Sequence, residues 1–96
     1  MELEWSDLAF EDRRAIFDYI EADSPAAAID VDLRICGQAQ MLADFPELGR
    51  PGRVEGTREL VIGHTSCIAA YRIESDRIKI LRILHGAQRW PDLLPY

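Results

Sequence analysis

Two histidines, two cysteines and ten arginines carry most of the reactive chemistry in this 96-residue sequence. His85 ends the run Arg77-Ile78-Lys79-Ile80-Leu81-Arg82-Ile83-Leu84-His85, with Arg82 three residues before it. Histidine exchanges protons near neutral pH, so His85 is the candidate general acid or base. His64 follows Gly63 in a turn-like stretch and needs no role beyond that of a surface side chain. Neither histidine has a second histidine, a cysteine or a carboxylate at metal-ligand spacing, and no metal or other cofactor is expected. Cys36 and Cys67 form no C-x-x-C pair and read as small apolar side chains rather than a disulfide framework. Ser66, His85 and an acid could be written as a triad, but no nucleophile elbow supports it. Gly49-Arg50-Pro51-Gly52 lacks the spacing and flanking elements of a phosphate-binding loop.

The arginines say more. They outnumber lysine ten to one, and Arg50, Arg53, Arg58, Arg72, Arg82 and Arg89 all fall in the second half. A guanidinium is a planar fork suited to bidentate contact with a carboxylate or a phosphate. Two readings follow: pairing with acids of this or a partner chain, or contact with a nucleic-acid backbone. The formal net charge of −6 and a pI near 4.8 favour protein pairing and exclude a strongly cationic nucleic-acid binder. The charge is unevenly spread. Residues 1–48 hold twelve acids against three arginines, and residues 49–96 hold five acids against seven arginines and Lys79. The first half repels phosphate, and the second can present a local basic face.

The elements that must position these groups follow from periodicity. Glu2-Leu3-Glu4-Trp5 alternates as a short strand does. Ser6 is a helix N-cap, and Ala9, Arg13, Ile16 and Ile20 share one helical face. Ser24-Pro25 starts a second helix, on which Ala28, Val31, Ile35, Ala39 and Leu42 recur and which Phe45-Pro46 closes. The two helices form an antiparallel hairpin. Residues 48–56, with three glycines and a proline, read as loop. Strand patterns then cover 57–62, 67–73 and 77–85, and their short connections require antiparallel pairing. In strict alternation Ile78, Ile80, Arg82 and Leu84 face one way, with Lys79, Leu81, Ile83 and His85 opposite. Both faces are largely apolar, as in a central strand. Residues 87–96 are a proline-broken tail.

Length and composition set one domain over residues 1–96, α+β in class, with helices on one side of a small sheet. No apolar run is long enough to span a bilayer, and a cytoplasmic location is expected. Ile68, Ala70, Leu84 and Trp90 lie where they either form an apolar groove for a partner segment or are covered by the C-terminal tail.

The phrases Phe45-Pro46-Glu47-Leu48-Gly49-Arg50-Pro51, Gly56-Thr57-Arg58-Glu59-Leu60, Ala70-Tyr71-Arg72-Ile73 and Ile80-Leu81-Arg82-Ile83-Leu84-His85-Gly86 occur in this order along the chain. With the order of elements, the sequence resembles the RelE/ParE toxin superfamily of bacterial toxin–antitoxin modules from Leu3 to about Trp90. The resemblance implies a two-layer β-α-α-β-β-β fold, an N-terminal strand and helical hairpin followed by a three-stranded antiparallel meander. It also implies a growth-inhibiting toxin neutralised by a cognate antitoxin. RelE-like members cleave mRNA on the ribosome, and ParE-like members inhibit DNA gyrase. The nucleases carry an arginine where this sequence has Ile68, just ahead of Ala69-Ala70-Tyr71. Losing one such donor costs about 10²–10³ in rate. The closer likeness is therefore to ParE-like members, acting on gyrase as a protein-binding inhibitor without specific DNA binding of their own. In the alternative, a ribosome-dependent endoribonuclease, the catalytic residues are His85, Arg82 and Arg58. A third reading is a decayed toxin that only binds its antitoxin. Arg50, Arg53, Arg72, Ile68, Leu84 and Trp90 are the candidate antitoxin- or target-binding residues.

Overall fold

The computed structural model describes residues 1–86. Strand β1 (Glu2–Trp5) passes through Ser6 into helix α1 (Asp7–Glu21). Ser6 Oγ accepts the Ala9 amide at the helix start and donates to the Leu81 carbonyl, 2.7 Å away. The cap therefore ties α1 to the sheet as well as beginning it. Ser24 likewise accepts the Ala27 amide at the start of α2 (Pro25–Gln40). Arg13 clamps the hairpin, donating to both oxygens of Asp32 at 3.1 Å while lying 4.7 Å over the Trp5 ring. The closing signal at Phe45-Pro46 comes later than the end of the α-helix. The chain tightens at Met41–Ala43 into one 3₁₀ turn that keeps Leu42 fully buried.

The glycine-rich stretch read as loop contains a two-residue strand, β2 (Arg50–Pro51), antiparallel to β3 (Arg58–Val61). Pro51 is tolerated because β2 is the sheet edge, where no ladder needs its missing N–H. Strands β4 (Cys67–Ile73) and β5 (Arg77–His85) follow. The sheet order is β1-β5-β4-β3-β2, antiparallel except that β1 runs parallel to β5. A parallel neighbour needs a long crossover, which the hairpin supplies. The class is α+β.

As its two-sided apolar pattern requires, β5 is a central strand. Its alternation is not strict. Tyr71 pairs with Ile80 and Ala70 with Arg82, leaving Leu81 as an extra residue. This bulge reverses the facing beyond it, so Ile83 joins Ile78 and Ile80 in the helix-side core with Ile35, Leu42, Ile62 and Tyr71. Uniform alternation had placed Ile83 on the opposite face from Ile78 and Ile80; a bulge has no sequence mark when both strand faces are apolar. Among the described residues no helix is long and apolar enough to cross a membrane.

Candidate binding surface

The β2–β3 corner is built around a buried acid. Glu59 pairs with Arg50 across the strands and is only 4% exposed. One carboxylate oxygen accepts from the Arg53 backbone N–H at 2.9 Å and from its guanidinium at 3.2 Å; the other accepts from Arg50 at 3.5 Å. Burial alone would raise the Glu59 carboxyl above its ordinary value. The Arg53 hydrogen bonds and charge, with the Arg50 contact, outweigh it and hold the group below that value. The acid is inside, while the two guanidiniums reach solvent.

Behind this corner Tyr71 fixes the incoming chain. Its hydroxyl donates to the Pro46 carbonyl at 2.7 Å and accepts the Gly49 amide at 2.9 Å. A Cβ on Gly49 would lie 2.7 Å from the Tyr71 ring and hydroxyl and 2.8 Å from the Glu59 carbonyl, which explains glycine there. Arg58 donates to the carbonyls of Gly49 and Glu47, so it serves as a brace for the same segment. Held in this way, Phe45 and Leu48 are exposed. They line a groove of about 560 Å³ with Met1, Pro46 and Ile73. Leu48 also borders a second groove of about 480 Å³, with Met41 and Val61.

At the far end of the sheet, β1 stops at Trp5 and Asp12 takes over its place beside β5. One Asp12 oxygen accepts the Ile83 backbone N–H at 2.9 Å, and both oxygens accept from Arg82 at 2.8 and 2.9 Å. Arg82 is thus engaged by a bidentate internal partner. His85 packs beside Tyr19, with ring centroids 6.0 Å apart. Arg58 lies in register with Tyr71 and Ile80, whereas His85 lies in register with Cys67. Strand rise and spacing put Arg58 and His85 on the order of 15 Å apart. The three residues of the nuclease alternative are not gathered around one point.

Of the other expected contact residues, Ile68 and Leu84 lie opposite each other across β4 and β5, with Ala70 paired to Arg82 beside them. Arg72 lies nearer the other end of β4. Arg72 pairs with Glu74, Ile68 is half-buried, and Leu84 is 5% exposed. Ala70 is fully buried. Trp90 and Arg89 lie outside the described residues. Cys67 is buried and Cys36 half-buried, and burial pushes both thiols up, away from thiolate chemistry. Among the described residues no three potential ligands gather to hold a metal ion. Sequence reasoning missed Glu59, Tyr71 and Asp12. Glu59 had a faint signal, a lone acid within a strand that follows an arginine-bearing loop. Asp12 had none among so many helical acids.

Residues 3–90 match the family described as the ParE toxin of the type II toxin–antitoxin system parDE. Y4kP of Sinorhizobium fredii is 46% identical over 76 residues, covering 79% of this chain and 78% of the relative. Toxin RelE2 of Caulobacter vibrioides is 38% identical over 84 residues, covering 88% and 93%. A solved structure of the chromosomal ParDE system from P. aeruginosa superposes with a TM-score of 0.80 at 32% identity, over 88% of this chain and 95% of that one. With the fold and nearly the whole described sequence in agreement, the chain belongs to the ParE toxin family of type II toxin–antitoxin systems.

Proposed function

We propose that this toxin arrests growth by binding a protein target, DNA gyrase, and that a cognate antitoxin neutralises it. The observation that carries the reading is the dispersal of the groups that RNA cleavage would need. Arg82 is engaged by Asp12, and Arg58 braces the 47–49 segment far from His85. Ile68 stands where a nuclease would hold a phosphate-stabilising cation. The net charge of −6 also opposes docking on ribosomal RNA, where phosphate attraction dominates affinity.

For the antitoxin, the β2–β3 corner offers the matching chemistry. Arg50 lines the groove bordered by Leu48 and Val61, Leu48 also borders the groove that holds Phe45, and Arg53 shares the buried Glu59 carboxylate with Arg50. An antitoxin segment with apolar anchors and acidic side chains fits that combination. The test is a supercoiling assay with purified gyrase. Stoichiometric toxin is expected to block supercoiling or accumulate cleaved DNA, and the antitoxin is expected to reverse this. Unimpaired supercoiling, together with cleavage of mRNA on programmed ribosomes, would replace this reading with the nuclease one.

A further inference from the structure

The outer face of α2 carries an apolar stripe directly opposite its buried side. Ala26, Ile29, Leu33 and Gly37 follow one another at three- and four-residue intervals, and all are exposed, Ile29 by 53% and Leu33 by 66%. Their helical angles centre on Leu33. Gly37 is the unusual member. Glycine inside a helix is unfavourable relative to alanine, and a Cβ at Gly37 would meet nothing within 4 Å. Among the described residues no packing therefore requires glycine there. A helix-interior glycine beside exposed isoleucine and leucine marks a place where another backbone can approach closely.

We infer that this face self-associates, α2 packing antiparallel on α2 of a second copy about a twofold axis through Leu33. With Leu33 on Leu33, residues whose numbers sum to 66 face each other, and Ile29 of each copy fills the gap over Gly37 of the other. The charges agree with the same arrangement. Asp30 and Arg34, paired at 2.9 Å within one copy, lie on one flank of the stripe. In an antiparallel pair that flank meets itself reversed, so Asp30 of each copy comes beside Arg34 of the other. A self-complementary flank lets two copies meet although each carries a net charge of −6. The stripe from Ala26 to Gly37 is only about 17 Å long. That is small beside the ~800 Å² per partner of a stable complex, so the dimer is expected to be weak, with a Kd in the micromolar range or above. The inference is independent of the toxin's target.

Sedimentation equilibrium of the full chain from about 1 to 500 μM tests it. Wild type is expected to shift from monomer to dimer. Leu33→Arg and Leu33→Glu should each stay monomeric, because like charges meet on the axis, and a one-to-one mixture should regain the dimer. Gly37→Leu should weaken association at least tenfold while the thermal midpoint does not fall, since a Cβ there meets no described residue within 4 Å and leucine favours the helix over glycine. A wild type that is monomeric throughout overturns the inference. So does Leu33→Arg dimerising as well as wild type, or a mixture that stays monomeric. If wild type is monomeric and Leu33→Arg loses antitoxin binding, the face belongs to the antitoxin instead, which also overturns self-association.

Discussion

At the α1–β5 clamp the side chains of Arg82 and Asp12 are only 16% and 13% exposed. At the β2–β3 corner Glu59 is 4% exposed while its partners Arg50 and Arg53 are 58% and 44% exposed. Both assemblies join arginine to a carboxylate that also accepts a backbone N–H, from Ile83 at the clamp and from Arg53 at the corner. They differ in which partner is spent. At the clamp the cation is consumed inside the fold, closing a strand edge that β1 leaves open. At the corner the acid is consumed, and it holds two cations where a partner can reach them. Similar residue types thus yield a structural strut at one end of the sheet and, at the other, two solvent-reaching guanidiniums on the surface proposed for the antitoxin.

Removing the clamp should have the largest effect on stability. Asp12→Ala removes the bidentate partner of Arg82 and the acceptor of the Ile83 amide together and is expected to cost about 3 kcal/mol, read by urea denaturation. A loss below about 1 kcal/mol would mean that Arg82 does not depend on Asp12, dissolving the contrast with the corner. Tyr71→Phe comes next, at about 1–2 kcal/mol, since it leaves the Gly49 amide without its acceptor. Faster hydrogen exchange at that amide should accompany the loss.

Glu59 sharpens the comparison through pH. Because its folded-state carboxyl lies below the ordinary value, the unfolded chain binds more protons in the acid range. Its contribution is full above about pH 4.3 and is lost as pH falls through the lower folded value. Glu59→Gln should therefore flatten the acid limb of the stability curve, while an unchanged limb would mean that the corner's charges do not hold it. The smallest stability effects belong to Arg50→Ala and Arg53→Ala, within about 1 kcal/mol each because both side chains are well exposed. Their effect should appear in antitoxin affinity, about tenfold weaker by titration calorimetry if one charge-assisted contact is lost. Unchanged affinity in both would remove the corner from the interface.

The helix starts at Ser6 and Ser24 and the bounds of β4 and β5 were legible because caps and alternating patterns are local signals. The parallel β1–β5 pair, β2 and the Leu81 bulge were not legible, since each depends on which strands meet in space. The candidate site divides along the same line. The arginines of the 50–53 loop could be read from composition and loop position. Their organiser, Glu59, and the Tyr71 hydroxyl act through contacts across strands, and the engagement of Arg82 depends on a helix seventy residues away. His85 stood out by its chemistry alone, and only register separates it from Arg58.

Pulse labelling of DNA and protein synthesis in parallel, minutes after the toxin is induced without antitoxin, tests most directly whether this protein acts on a protein target or on RNA. DNA synthesis is expected to fall first while translation continues, with His85→Ala behaving as wild type. Translation stopping first with DNA synthesis intact, and His85→Ala abolishing that arrest, would contradict the account.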